Sequence, residues 1–199
     1  MIGLEKITLG RVATFTPGTN QSRMEKQLKG KRIIYYDQDS FEKDCQYHTK
    51  EQTPLESLEY LEKFSVREGE IVISNSLHLA TMVSKENAHK VLPLNFTKVD
   101  INSEKLDPYY FIYMFNEYRE VQRQKERELQ GTGMVMRLSI KSLESLKIPF
   151  IPLEEQKKMG TVYIETQRLE IQLAQYAKLL QQFTSTLLEE NLKHEARRK

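Results

Sequence analysis

Two short patterns in this chain bring together residue types that carry out catalysis in enzymes. Asp107-Pro108-Tyr109-Tyr110 has the acid, proline and aromatic residues of the amino-methyltransferase signature, but the second proline of that signature is missing. No glycine-rich strand-to-helix turn precedes it to bind S-adenosylmethionine. A helix start, with Asp107 as the N-cap and Pro108 as the first helical residue, explains these residues better.

Metal and nucleophile chemistry also lack a complete set of residues. Glu155-Gln156-Lys157 has the acid-x-lysine spacing of a nuclease metal site, but it falls in a helical pattern without an upstream aspartate on a strand, so a solvated helix face explains it better. The four histidines are scattered, with no pair at metal-ligand spacing, and Cys45 has no nearby histidine. No P-loop or nucleophile elbow is present. We therefore predict a protein that is not an enzyme and that uses no cofactor and no metal.

Binding chemistry is concentrated in a polar and basic segment that follows the Pro17-Gly18 turn. Amide and guanidinium groups can pair with the edges of adenine and guanine in the major groove of DNA, and lysines can contact phosphates. An ordinary solvated loop is the alternative interpretation. The candidate DNA-binding residues of this segment are Thr19, Asn20, Gln21, Ser22, Arg23, Lys29, Lys31 and Arg32.

Two further polar clusters are candidates for the same role. Asn75, Ser76 and His78 directly follow a predicted strand, where binding loops concentrate, although a plain β-turn explains them equally well. Thr132 and Gly133 lie in a segment whose glycines permit close backbone approach to a phosphate. That segment could equally be no more than a helix stop.

The elements that must position these residues have a mixed α/β pattern. The sequence predicts a short strand or helix over residues 7–15, strands over residues 32–36, 70–74 and 95–101, a helix over residues 109–129, a short helix over residues 139–146 and an extended run over residues 147–151. The second half of the longer helix, residues 119–128, is polar all round, and we expect it to face water.

The last part of the chain, residues 152–193, has the pattern of one long amphipathic helix. Apolar residues alternate at spacings of three and four, as the a and d positions of a heptad do, and a helix of this length extends roughly 60 Å. Such a seam needs a partner helix. The seam residues that we expect at a dimer interface are Met159, Val162, Leu169, Leu173, Tyr176, Leu180, Phe183 and Leu187.

Bulk properties fit a cytoplasmic protein with one core and an appendage. The chain has 199 residues and a net charge of +2, so no overall basic field points to nucleic acid, although a local patch is compatible with a balanced total. A single cysteine excludes an internal disulfide and fits a reducing compartment. No apolar run approaches the length of a membrane span.

Taken in order, these signals resemble the specificity subunit of type I restriction-modification systems. They are Leu9-Gly10-Arg11-Val12 with the Gly18-Thr19 turn, residues 67–74, Leu94-Asn95-Phe96, Asp107-Pro108-Tyr109-Tyr110-Phe111, Gly131-Thr132, Leu143-x-x-Leu146-x-Ile148-Pro149 and Ile151-Pro152-Leu153-Glu154-Glu155-Gln156. The last of these, followed by the heptad helix, is the most specific. The resemblance implies an α+β fold: a mixed α/β target-recognition domain over residues 1–151 that reads double-stranded DNA, and a dimerisation and spacer helix over residues 152–199.

Members of that family usually carry two recognition domains and two helices in one chain, whereas this sequence has one of each. The resemblance therefore implies a homodimer whose helices form an antiparallel coiled coil and whose DNA target is an interrupted palindrome. Methyltransferase subunits, and with them a restriction subunit, are the partners it implies. Two alternatives stay open: the sequence is a fragment of a longer subunit, or it is a coiled-coil assembly protein whose head binds protein.

Overall fold

The structure is a computed structural model that describes residues 5–28, 32–46, 61–129 and 137–196. The chain divides into two compact units, Met1–Tyr163 and Ile164–Lys199. The first unit, which we call the head, includes the opening turns of a long helix that begins at Leu153. Across the described ranges, no helix combines the length and the apolar content needed to cross a membrane.

The secondary structure is mixed, as the sequence predicts. The strands are β1 (Lys6–Thr8), β2 (Ala13–Pro17), β3 (Ile71–Ser74), β4 (Leu79–Met82), β5 (Phe96–Ile101) and β6 (Lys147–Pro149). The α-helices are α1 (Gln21–Gln27), α2 (Gln38–Cys45), α3 (Pro108–Asn116), α4 (Arg119–Glu128), α5 (Ile140–Ser145) and α6 (Leu153–Ala196). Short 3₁₀ turns cover Leu9–Arg11 and Lys85–Asn87. The predicted α+β class, a mixed head followed by a long C-terminal helix, is confirmed.

The strands form two antiparallel sheets. One has four strands in the order β2-β5-β3-β4, and the other pairs β1 with β6. In the larger sheet Pro17 of β2 lies opposite Thr97 of β5, and Ser74 of β3 lies opposite Phe96 of β5. The ends of β2 and β3 and the start of β5 therefore lie at the same end of the sheet.

The centre of the sheet explains why the strands predicted over residues 70–74 and 95–101 are confirmed. Every residue of β3 is buried, because β3 lies between β5 and β4 and both of its faces are covered. Ile71 and Ile73 belong to the largest apolar cluster, while Val72 belongs to a second cluster with Phe41 and Phe96. A β-branched run buried on both faces is the pattern expected of a central strand.

The single helix predicted over residues 109–129 is instead two helices, α3 and α4. The break follows Asn116. Two side chains of α4 donate hydrogen bonds to a carbonyl group of α3 that lacks a partner within that helix. Gln122 Nε2 donates to the Phe115 carbonyl at 2.8 Å, and Lys125 Nζ donates to it at 2.7 Å. The expectation that residues 119–128 face water all round was wrong, since Val121 is fully buried and Lys125 is only 4% exposed.

Two further expectations were wrong. Residues 32–36 do not form a strand, because the segment has only an isolated bridge, between Tyr35 and Val91. The segment after Gly18, interpreted as a loop, contains helix α1.

The C-terminal elements follow the predicted pattern closely. Ser139 caps α5 by accepting the Ser142 N–H on its hydroxyl at 3.0 Å. The extended run that follows includes β6. The long helix α6 starts one residue after Pro152, whose carbonyl accepts the N–H groups of Glu155 and Gln156.

Candidate functional site

Three connections meet at the end of the sheet where β2 and β3 finish and β5 begins. They are residues 18–23, residues 74–78 and residues 92–95, which together we call the loop surface. Two of the three predicted polar clusters lie on it. The third connection, residues 92–95, joins the other two.

Backbone hydrogen bonds fix residues 18–23 against residues 92–95. The Thr19 N–H donates to the Leu92 carbonyl at 2.7 Å, and the Gly18 N–H donates to the Phe96 carbonyl at 3.0 Å. Gly18 approaches the Pro93 carbonyl so closely that a Cβ atom at this position would overlap it. A glycine is therefore required here for close packing between two chain segments.

The first connection is held by a helix cap. Asn20 Oδ1 accepts the Arg23 N–H at 3.1 Å and so begins α1, which Met24 anchors in a small apolar cluster. The side chains of Gln21, Ser22 and Arg23 are exposed on the first turn. The predicted residues are thus presented from a capped helical turn, which orders them more than a loop would.

The second connection is a tight turn that is tied to the third. The Asn75 N–H donates to the Asn95 carbonyl at 3.0 Å, and Asn75 Nδ2 donates to the Leu94 carbonyl at 3.1 Å. The Thr97 hydroxyl donates to Asn75 Oδ1 at 2.9 Å. Asn75 therefore uses its amide to hold the two connections together, and the exposed residues at the tip are Ser76 and Leu77.

Residues 92–95 are a part of the surface that the sequence analysis does not assign to DNA binding, although Leu94-Asn95-Phe96 contributes to the family resemblance. Leu94 is 46% exposed and Asn95 is also exposed, between the two predicted clusters. Leu77, on the neighbouring turn, is 45% exposed. The available signal was a polar residue and an apolar residue in a short Pro93-Leu94-Asn95 connection just before a strand.

A cleft of about 440 Å³ lies beside the Gly18-Thr19 backbone. Its lining includes Lys98, which contacts Glu70 at 2.8 Å and Asp100 at 3.4 Å. Burial acts against the charge on Lys98, but the two carboxylates outweigh it and raise its pKa. Lys98 therefore stays an ammonium group in the wall of this cleft.

A buried cation, Lys125, also lies close to the loop surface. Lys125 on α4 donates to the His78 carbonyl at 2.8 Å, although its side chain is almost fully enclosed. Burial lowers the pKa of Lys125 to about 8, with Glu117 acting in the opposite direction. Sequence reasoning had placed this residue on a solvated helix face.

Some of the predicted residues are placed elsewhere or cannot be placed. Arg32 is exposed, a few residues before the point where the chain runs alongside Val91. Lys29, Lys31, Thr132 and Gly133 lie outside the described residues. Their assignment to DNA binding stays a prediction.

The start of α6 is fixed to the rest of the head by two residues of its first turns. Gln156 is 1% exposed: its Oε1 accepts the Asp107 N–H at 3.0 Å, and its Nε2 donates to the carbonyls of Lys105 (3.1 Å) and Ile151 (2.8 Å). Gly160 lies against α3, where a Cβ would come within 2.6 Å of the Tyr110 nitrogen. The Glu-Glu-Gln motif thus has a structural use, because its glutamine bonds three backbone groups of the head.

The heptad seam of α6 is uncovered in the structure. Its apolar side chains are between 40% and 67% exposed; they are Met159, Val162, Leu169, Leu173, Tyr176, Leu180, Phe183 and Leu187. Within the head, the residues of α6 that pack inward include Gln156, Gly160 and Tyr163, whose ring centroid lies 5.3 Å from that of Tyr113, and all three occupy other heptad positions. A row of exposed apolar side chains of this length is characteristic of an interaction surface.

The described residues thus form a mixed α/β head that gathers polar side chains at one end of a sheet and a long helix with an uncovered apolar seam. The family model of the type I restriction modification DNA specificity domain matches residues 24–196 of this chain. The chain belongs to that family.

Solved structures with a similar fold include the HsdS subunit from Thermoanaerobacter tengcongensis, with a TM-score of 0.53 and 16% identity over 86% of this chain and 39% of that chain. The type I restriction-modification S subunit from M. genitalium has a TM-score of 0.53 and 17% identity over 85% of this chain and 40% of that one. A chain from work on complex assembly and conformational transition of the type I R-M system has a TM-score of 0.56 and 17% identity over 89% of this chain and 41% of its own. This chain thus spans about two fifths of the length of these relatives. Among curated proteins no match is found.

Proposed function

We propose that this chain is a non-catalytic DNA-reading subunit of a type I restriction-modification complex, and that the loop surface is the part that reads DNA. The observation that carries the proposal is the meeting of two predicted clusters at one end of the sheet, in a member of the DNA specificity family. Residues 18–23 and 74–78 are far apart in sequence, yet both are bonded to residues 92–95. A surface built from several ordered connections can reach several base pairs at once.

Each part of the loop surface has its own suitable contact with DNA. Gln21 and Arg23 carry the amide and guanidinium groups that pair with adenine and guanine edges. Ser76 offers a hydroxyl to either kind of base, and Leu94 offers an apolar contact for a thymine methyl group. Beyond the residues of the loop surface, Lys29, Lys31 and Arg32 would contact phosphates, and Thr132 and Gly133 would approach the DNA backbone. Asn75 acts indirectly in this proposal, because its amide positions the turn.

The helix seam supports a second part of the proposal, which is assembly. We infer that residues 152–199 pair with the same helix of a second copy, antiparallel, while residues 1–151 form the target-recognition domain. The support is the uncovered seam, whose side chains from Leu169 to Leu187 remain at least 42% exposed. A twofold dimer presents two identical heads, so its target would be an interrupted palindrome, and it would direct a separate methyltransferase subunit to that site.

The experiment that tests DNA reading compares two exposed arginines near opposite ends of β2. Arg23 follows the Pro17 end and lies on the loop surface, whereas Arg11 precedes Ala13 at the other end. Binding is measured to a duplex selected by the wild-type chain together with its methyltransferase. Arg23→Ala should weaken binding by roughly 5–150-fold for each half-site and relax the preference at one base pair of that half-site, as expected for a loss of roughly 1–3 kcal/mol per contact.

Arg11→Ala removes the same charge and should change affinity by less than about threefold. Equal losses in the two variants would mean that arginine charge alone attracts DNA, without reading by the loop surface. No loss in either variant, with protein ligands captured by the head, would favour the alternative of a protein-binding assembly factor.

A further inference from the structure

Two side chains hold the edge strand β4 and the turn before it from outside the sheet. Asn116, at the end of α3, accepts the Ala80 N–H on Oδ1 and donates from Nδ2 to the Ala80 carbonyl, both at 2.8 Å. Lys125 Nζ donates to the His78 carbonyl at 2.8 Å and to the Phe115 carbonyl at 2.7 Å. The same ammonium group lies 4.3 Å from the centre of the Phe115 ring.

The residue that Lys125 holds has an uncommon backbone conformation. His78 has a φ of 55°, in the left-handed region that a non-glycine residue keeps only where its surroundings require it. Its N–H donates to the Ser74 carbonyl at 2.9 Å, so the turn closes at this residue. Lys125 therefore donates its hydrogen bond to the residue of the turn whose backbone is in the left-handed region.

A buried lysine is a costly way to fill this space. An apolar side chain of similar length would fill it without removing a charge from water. What the ammonium group adds is two directed hydrogen bonds, which fix the His78 carbonyl and the Phe115 carbonyl to one atom. The position of the turn is thereby tied to the junction of α3 and α4.

We propose that Lys125 is a positioning residue for the turn of residues 74–78, and that it sets where Ser76 and Leu77 are presented without touching DNA itself. Asn116 supports the same arrangement by fixing Ala80, two residues further along. The inference rests on the proposed function, because it assumes that this turn reads DNA. The first part of the inference, that Lys125 holds the turn, can be tested without DNA.

The test compares Lys125→Met, which keeps the aliphatic chain and removes the donors, with Lys141→Met, the same change at an exposed position on α5. Amide hydrogen exchange is measured for His78 at the end of the turn, for Leu79 at the start of β4 and for Val99 in the central strand β5. In Lys125→Met the amides of His78 and Leu79 should exchange on the order of tenfold faster while Val99 is unchanged. Lys141→Met should change none of them.

DNA binding by the same variants gives the second readout. Lys125→Met should lose preference at the base pairs read by the turn and keep preference at those that Arg23→Ala affects. Its affinity for unrelated DNA, and the salt dependence of that affinity, should stay as in the wild type. Lys125→Arg, which keeps a charged donor, should restore part of the preference and serves as the second variant if Lys125→Met does not fold.

The outcomes separate the two proposals. Unchanged hydrogen exchange in the turn would overturn the positioning role, because Lys125 would then not support the turn. Equally faster exchange at Val99 would overturn it too, because the variant would then have lost stability in general. A wild-type chain that selects no DNA sequence would refute the proposed function, while the exchange result would still decide whether Lys125 holds the turn.

Discussion

Gln156 offers the sharpest prediction about stability, because one side chain satisfies three backbone groups. Replacing it with alanine leaves the Asp107 N–H and the carbonyls of Lys105 and Ile151 without their present partner. Each hydrogen bond contributes about 1 kcal/mol net, so the head should lose about 3 kcal/mol. For a chain of this size, that loss lowers Tm by about 6–12 °C.

The assay is urea and thermal unfolding at a fixed protein concentration, without DNA. Near-ultraviolet circular dichroism reports head packing through tyrosine side chains such as Tyr36 and Tyr110, which are buried in the head. The matched control is Gln175→Ala, an exposed glutamine on the same helix, which should change stability by less than about 0.5 kcal/mol. If the free energy of unfolding of Gln156→Ala lies within about 1 kcal/mol of the wild-type value, which is the contribution of a single hydrogen bond, the anchoring role is wrong.

A second variant separates the hydrogen bonds from side-chain volume. Gln156→Glu keeps an acceptor for the Asp107 N–H but directs carboxylate oxygens at two carbonyls. Burial and these carbonyls should raise the pKa of the new carboxyl group in the folded state. Its stability relative to the wild type should therefore be greatest at acidic pH and should fall as pH rises through the folded-state pKa. If the difference in stability between Gln156→Glu and the wild type does not change with pH, the raised pKa is contradicted.

Three other predictions test the assembly, the loop surface and the buried lysine. Leu180→Asp puts a charge in the helix seam, where an apolar side chain should contribute about 1.5–3 kcal/mol when it is buried. Sedimentation of this variant should show monomers, and an unchanged dimer would contradict the coiled coil. Gly18→Ala forces apart two bonded segments and should cost about 3 kcal/mol in urea unfolding, whereas Gly69→Ala, at a φ of 81° in open space, should cost about 1 kcal/mol. Equal costs would mean that the contact with Pro93 is unimportant. Because burial lowers the pKa of Lys125 to about 8, the stability of the wild type relative to Lys125→Met should rise between about pH 8 and pH 10.5 and fall as pH drops through 8; a constant difference would contradict that shift.

Local sequence patterns were sufficient to predict those helices and strands whose formation depends on their own residues. The β-branched run Ile71-Val72-Ile73 predicted a strand, and Asp107 with Pro108 predicted a helix start; the structure contains β3 and a cap in which Asp107 accepts the Tyr110 N–H. The heptad pattern predicted α6. Each of these elements depends on periodicity or capping, which can be read from neighbouring residues.

Long-range contacts account for the elements that were missed. Helix α2 has few apolar residues, and its Asp44 is held by Tyr36 at 2.6 Å and by Asn87 at 2.7 Å. The break between α3 and α4 involves Gln122 and Lys125 bonding a carbonyl several residues earlier in the chain. No pattern within a short window contains those contacts.

The candidate site, too, could be predicted where residue types indicate it locally and not where it depends on long-range contacts. Residue types pointed to residues 19–23 and 75–78, and the structure brings both to one end of the sheet. The role of Asn75 in joining two connections depends on Leu94 and Thr97, which lie about twenty residues away. The place of the exposed Leu94 on this surface was not predicted, because a lone leucine in a short connection has no pattern that indicates exposure.

We propose that two copies of one head read DNA for a separate methyltransferase. To test this proposal, duplexes are selected from a random pool with the full chain and its methyltransferase subunit, and the bound DNA is sequenced. We expect two inverted copies of one short half-site at a fixed spacing. Two unrelated half-sites, a single unpaired half-site or no enrichment at all would contradict it.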